Sequence, residues 1–382
     1  MNKLETHLTH ATRKKASSRL LALDVLRGIT IAGMVLVNNP GSWGSIYAPL
    51  EHAEWIGLTP TDLVFPFFMF IMGISTYISL RKYNFEFSVA AIGKILKRTI
   101  VIFLIGWSIS YFSFYCRTLQ LLPFEQLRIL GVMQRLALTY GATAIIALTM
   151  KHKHIPYLIA SILFGYFLIL FFGNGFAYND TNILSITDRA ILGLNHMYKD
   201  NGIDPEGLLS TLPSVAHVLI GFCCGKLLME VQNLHEKIER LFLIGTILTF
   251  TGFLLSYGCP ISKKIWSPTF AITTCGLAAS FLSILIWTID AKGYKRWARF
   301  FESFGVNPLF IYVMADILAI LLSNIHFMHS GESINLHGYI YSSLLQPYLG
   351  DKGGSLLFAL LFVAMNWSIG HLLYKKKIYI KI

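Results

Sequence analysis

About ten apolar runs of roughly 18–23 residues recur along this chain, at 20–39, 61–81, 98–116, 129–150, 155–173, 209–229, 238–257, 268–289, 303–323 and 353–374. Each is long enough to cross a hydrocarbon core of about 30 Å. Nothing else constrains the fold as much. Lipid offers the backbone no hydrogen-bond partner, so a spanning segment must satisfy itself as a helix or as part of a closed barrel. Runs this long and continuous are helices. The expected fold is therefore all-α, a polytopic integral membrane protein with about ten transmembrane helices. A composition of 54% hydrophobic and 14% charged residues excludes an ordinary soluble globule.

The net charge of +12 invites a nucleic-acid partner, but its distribution argues against one. If the N-terminus is cytoplasmic, the inside segments hold 23 Lys and Arg and the outside segments 7. That asymmetry is the positive-inside rule. It predicts both termini in the cytoplasm: a basic tail at 1–19, a single transmembrane domain at 20–374 and a second basic tail at 375–382. The first apolar run carries Asp24 and Arg27 and ends in Asn38-Asn39-Pro40, unlike a cleaved secretion signal. The five cysteines form neither a disulfide framework nor a metal-ligand spacing and read as packing residues. His326-x-x-His329 has helical ligand spacing but no third ligand, so no metal is expected. In the outer segment 174–208 an apolar stretch at 183–194 suits a short interfacial helix. Gly221 and Gly225, four apart, suit a close helix crossing.

Charged and strongly polar groups within membrane runs are costly unless paired, so each is a candidate for function. Asp24 and Arg27 lie in the first run, Asn38 and Asn39 close it, and Asp62 opens the second after a loop with His52 and Trp55. By the charge rule, Asn38, Asn39, His52, Asp62, Arg128, Asp204, Glu206, Lys264 and Trp266 gather on the outer side. Asp24, Arg27, Arg135 and Asn307 lie deeper or toward the cytoplasm. Sequence-distant loops thus converge on one membrane face, and the second set is placed to meet another ligand.

Six blocks carry a resemblance: LDVLRGITIAGMVLVNN (23–39), HAEWIGLTPTDLVFPFFMFIMGIS (52–75), RILGVMQR (128–135), DPEGLLSTLPS (204–214), KKIWSPTF (263–270) and FGVNPLFIYV (304–313). In this order they resemble the heparan-α-glucosaminide N-acetyltransferase family. They include its Asp-x-x-Arg-Gly opening, its His-x-x-Trp-x-Gly-Leu-Thr loop and its Asp-Leu-Val-Phe-Pro helix. The resemblance implies a transfer of acetyl from cytosolic acetyl-CoA, as co-substrate, to a glucosamine amine across the membrane, with His52 as the catalytic histidine. Animal members carry a luminal domain and a preceding helix not seen in this chain. The expectation is a bacterial homologue in the inner (cytoplasmic) membrane, acting on an amino sugar or envelope saccharide. Assembly as a homodimer is left open.

The residue types suit that chemistry. Amide formation from a thioester needs a proton acceptor, and imidazole serves either as a base or as an acetyl carrier. Glu51, Glu54 and Asp62 are placed to orient the ring. Asn38, Asn39 and Asn307 are uncharged donors for a carbonyl or oxyanion, or else interhelical hydrogen-bonding groups. Asp24 and Arg27, three apart, share a helix face and pair with each other, or Arg27 binds a CoA phosphate. Arg128 and Arg135, seven apart on one helix face, hold acidic helix ends or line a CoA channel. Asp204, Glu206, Lys264 and Trp266 are expected to bind the sugar. Two other classes stay open: a secondary transporter, which the missing internal repeat disfavours, and an O-acetyltransferase of exported polysaccharide.

Overall fold

A computed structural model of the chain describes residues 20–198, 200–329 and 331–380. The basic segment at 1–19 and the last two residues of the second tail lie outside the described residues. The elements are α1 (Leu21–Asn38), α2 (Pro60–Leu80), α3 (Val89–Thr118), α4 (Val132–Thr149), α5 (Ile155–Phe172) and the short α6 (Ile183–Ile191). After these come α7 (Thr211–Glu230), α8 (Leu234–Leu255), α9 (Pro268–Leu285), α10 (Ala298–Gly305) and α11 (Pro308–Asn324). A small hairpin of β1 (His326–His329) and β2 (Glu332–Asn335) leads through a winding stretch into α12 (Gln346–Lys375).

Every expected apolar run falls on helix. Among the described residues eight helices are long and apolar enough to cross a membrane, and a ninth span arises if the bent pair α10–α11 counts as one. The run at 98–116 lies within α3, whose 30 residues also carry Lys94, Lys97 and Arg98. The 81° bend between α10 and α11 has a local cause. Pro308 has no N–H to continue the α10 ladder and drives the preceding residue out of the helical region. Asn307 accordingly sits at φ −124°, ψ 53°.

The bundle is built around α2 and α7. A Cβ at Gly221 would run into the Phe70 carbonyl, and one at Gly225 would lie 2.9 Å from the Ile74 Cα. Small residues therefore let these two backbones touch, as the Gly221–Gly225 spacing suggests. Around them Phe70, Ile74, Phe222 and Cys224 are buried, whereas α5 and α8 leave most of their apolar surface outward, as lipid-facing helices do. The stretch expected to form an interfacial helix is α6, started by the Asn182 side chain accepting from Leu184 N at 2.9 Å. His326 and His329 stand on β1 and not on a helix. Residues three apart on a strand point to opposite faces, so their helical ligand spacing is not realised.

Candidate active site

The site grows from the start of α2. Thr59-Pro60-Thr61-Asp62 is a capping box with proline at the first helical position. Thr59 Oγ1 accepts from Asp62 N at 3.4 Å, and Asp62 Oδ2 accepts from Thr59 N at 3.1 Å. The same carboxylate reaches back into the preceding loop, where Oδ2 also takes Ala53 N at 3.1 Å and Oδ1 meets His52 Nδ1 at 2.6 Å. Asp62 is fully buried, and the positive end of the helix dipole favours its charge. An ionised carboxylate only accepts, so Nδ1 carries a hydrogen, and in the neutral ring Nε2 is then the nitrogen with the lone pair. Of the three carboxylates expected to orient the ring, Asp62 does so. Glu51 and Glu54 are exposed.

His52 lines a cavity of about 410 Å³ together with Arg128, Tyr198, Glu206, Lys263 and Lys264. Arg128 grips Asp204 with two nitrogens, at 3.2 and 2.5 Å, and Glu206 at 2.6 Å. Burial works against its charge, but Glu206 and Asp204 outweigh burial and raise its pKa. Asp204 also accepts from Tyr198 N and Glu206 N at 2.8 and 2.9 Å, so it is the buried post that shapes the 198–206 turn. Lys264 Nζ binds Asp200 at 2.7 Å and the Tyr178 hydroxyl at 2.5 Å. The Tyr178 ring stacks on Trp55 at 4.5 Å, which ties the His52 loop to the 174–208 segment.

Lys263 and Lys264 reach the cavity because of Trp266. Its backbone sits at φ +48°, and its indole is buried against Phe65, His217 and Phe270. Tyr166 OH donates to Ile265 O at 2.7 Å, and Gly57 N to Ile261 O at 2.8 Å, pinning the loop on both sides. Trp266 is thus the anchor of the lysine loop and does not line the cavity, contrary to its expected place on the sugar. Arg135 is also displaced from its expected position. It lies in the first turn of α4, while Arg128 precedes that helix, so the two share no helix face. Arg135 donates to Ser210 Oγ and to Gly207 O, with its guanidinium 5.2 Å from the Trp266 ring, and it does not line the cavity that holds Arg27.

The Arg27 cavity, of about 400 Å³, includes Ser75, Arg98, Leu136, Pro308 and Ile380 in its walls. Arg27 donates to Asp24 Oδ1 at 2.9 Å, to Ser75 Oγ at 2.8 Å and to Gly305 O at 3.3 Å, so the expected helix-face pair with Asp24 forms. Asn307, next to Pro308 of that wall, is buried and engaged: its amide donates to Ile378 O at 2.9 Å and accepts from Ile380 N at 2.8 Å. Asp62 and Ser75 are thirteen residues apart on one helix, so the His52 and Arg27 ends stand about 20 Å apart along the bundle. Asn38 and Asn39 line a third cavity, of about 470 Å³, with Arg117, Asp316 and Arg128. Arg128 borders both this cavity and that of His52.

Sequence reasoning missed Lys263, Arg98, Tyr198 and Asp200. Lys263 stands one residue before a predicted site residue, so its signal was at hand. The others come from turns and helix faces that only the packing brings together.

This is a polytopic helical membrane protein with a polar site at each end of the bundle. Residues 19–257 match the family described as heparan-alpha-glucosaminide N-acetyltransferase, catalytic, and the chain belongs to that family. It is 29% identical over 371 residues to the heparan-alpha-glucosaminide N-acetyltransferase of Mus musculus, covering 80% of this chain and 55% of that protein. With the protein of the same name from Homo sapiens it shares 29% identity over 365 residues, 78% of this chain and 53% of the other. The chain spans about half the length of the curated relatives it matches.

Proposed function

We propose that this protein is a transmembrane acetyltransferase that accepts acetyl-CoA at the Arg27 cavity and delivers acetyl to the amine of a glucosamine-type sugar at the His52 cavity. The observation that carries this is the His52–Asp62 pair in the wall of the His52 cavity, its hydrogen bond placing the Nε2 lone pair where a base or nucleophile is needed. Asp62 stabilises the imidazolium that forms when Nε2 takes the amine proton, or the acetyl-imidazolium if His52 carries the group.

The other residues support the same reading. Arg27 and Arg98 suit the phosphates of CoA. The seam of α3 and α11 runs on toward the other end: Ile105 and Val313 line the Arg27 cavity, and Ile109 and Asp316, one turn on, line the Asn38–Asn39 cavity. A narrow thioester arm extended along that seam passes the two asparagine amides, donors for its carbonyl, before reaching Arg128 and His52. Glu206 is placed to receive the sugar ammonium, while Lys264 and Asp200 suit its hydroxyls. The charge asymmetry supports an Arg27 end in the cytoplasm, where acetyl-CoA is made, and a His52 end outside a bacterial cytoplasmic membrane.

A paired experiment on the purified full chain tests this. His52→Ala should lose transfer from acetyl-CoA to glucosamine by about 10²–10⁴ or more while still binding acetyl-CoA. Arg27→Ala should instead weaken acetyl-CoA binding and leave acceptor binding nearly intact. Near-normal turnover by His52→Ala, or unchanged acetyl-CoA affinity in a folded Arg27→Ala protein, would overturn the corresponding half.

A further inference from the structure

Three basic side chains besides His52 line its cavity, and two are already neutralised. Arg128 is held by Asp204 and Glu206, and Lys264 by Asp200 and Tyr178. Lys263 stands differently. Its carboxylate neighbour Asp62, at 3.6 Å, is already engaged by His52, Ala53 and Thr59, and its Nζ lies 3.1 Å from His52 Nδ1 and 3.4 Å from Nε2. We propose that Lys263 is a further catalytic residue, whose ammonium donates a hydrogen bond to the acetyl carbonyl oxygen as negative charge develops on it beside His52. The inference rests on the acetyl-transfer reading above and adds the group that stabilises the oxyanion.

The geometry leads there by counting donors. An ammonium offers three N–H groups. One points toward Asp62, and Nζ, 3.1 Å from Nδ1 and 3.4 Å from Nε2, stands beside the ring and off the axis of the Nε2 lone pair, so its other N–H groups are not spent on that nitrogen. A carbonyl group brought within reach of Nε2 is then also within reach of Nζ, which turns an N–H onto the carbonyl oxygen. In direct transfer the acceptor nitrogen attacks the carbonyl carbon, the C=O π pair moves onto oxygen, and Nε2 takes the amine proton. The C–S bond then breaks as the oxygen pair returns, and the CoA thiolate leaves and takes that proton. If acetyl rests on His52, Nε2 makes the first attack and expels the thiolate, and the amine then displaces imidazole, which accepts its proton. The same oxyanion forms at each step, so Lys263 serves either route. Donors held at the place where such charge develops are among the stronger catalytic devices.

Burial also lowers the Lys263 pKa, against the pull of Asp62 and Glu206, which makes the ammonium a better donor and brings its deprotonation closer to neutral pH. The test measures transfer from acetyl-CoA to glucosamine by full-length wild type, Lys263→Met and Lys263→Arg. Lys263→Met should lose about 10²–10³ in kcat, with acetyl-CoA binding and the KM for glucosamine changed far less. Lys263→Arg should recover part of the rate and lose the alkaline fall in kcat, because a guanidinium stays charged. A Lys263→Met protein with near-wild-type kcat would overturn the proposal. If that variant fails to bind acetyl-CoA and so has not folded, the arginine variant decides, and an unchanged alkaline limb would overturn it. A wild-type chain that binds acetyl-CoA yet acetylates no amine would overturn the acetyl-transfer reading itself, a result distinct from either variant's.

Discussion

At the scale of single residues, Asp188 on α6 shows how the loops at the His52 end pay for their compactness. Its Oδ1 accepts from Leu208 N at 2.9 Å, which fixes the turn below Glu206. Burial, with Asp204 nearby, pushes its carboxyl up to about 6. The folded chain therefore holds this proton to higher pH than the unfolded chain does. The stability it confers is complete below about pH 4 and is lost as pH rises through about 6, a loss on the order of 2–3 kcal/mol. Asp188→Asn keeps an acceptor for Leu208 and cannot ionise. Melting curves between pH 4 and 7.5 should fall for the wild type and flatten for this variant; equal slopes would show that Asp188 does not titrate in that window. The residues legible from sequence were those whose roles are local. Asp62 could be read because a carboxylate at the head of an apolar run stands out, and His52 because its short loop lies just before that carboxylate. Arg135 and Trp266 could not, because whether a side chain turns into a core or a cavity depends on helices far away in the chain.

At the scale of elements, the helices were legible because lipid imposes their length and their apolarity together. Their breaks were less so. Pro308 is visible in the sequence, but a proline at the first turn of a helix reads the same in a straight continuation as at an 81° bend. The α2–α7 crossing offers a direct test of packing. Gly221 faces the Phe70 carbonyl with no room for a methyl group, and α2 carries both Asp62 at one end and Ser75, the partner of Arg27, at the other. Gly221→Ala must push the two helices apart, at a cost typical of overpacking, about 1–3 kcal/mol. The expected result is a lower melting temperature together with losses in both acetyl-CoA binding and transfer, since both sites hang on one helix. A variant with unchanged stability would mean that α2 and α7 sit farther apart than this contact requires.

At the scale of the whole molecule, two polar sites stand at opposite ends of one bundle, and the proposed reaction makes sense only if those ends face different compartments. The loops that build the His52 end, at 40–59, 174–210 and 256–267, carry few basic residues. The connections beyond α2 and α9 at the other end carry many, including Arg81, Lys82, Lys292 and Lys295. Moving a lysine or arginine across the membrane during insertion is the unfavourable event, so the basic connections stay where synthesis occurs. That argument predicts the orientation from charge alone, and the fold sharpens it, because Trp55 bonds Phe176 O and stacks on Tyr178, which holds Lys264, so these three segments must share a side. Single cysteines placed at exposed positions in a background without native cysteines test it in intact cells. Tyr47→Cys and Asn179→Cys should react with a membrane-impermeant maleimide added outside, while Glu86→Cys and Lys295→Cys should react only after the membrane is opened. The opposite pattern would put His52 in the cytoplasm beside acetyl-CoA. Transfer would then need no passage along the α3–α11 seam, and the role assigned to Arg27 would lose its reason.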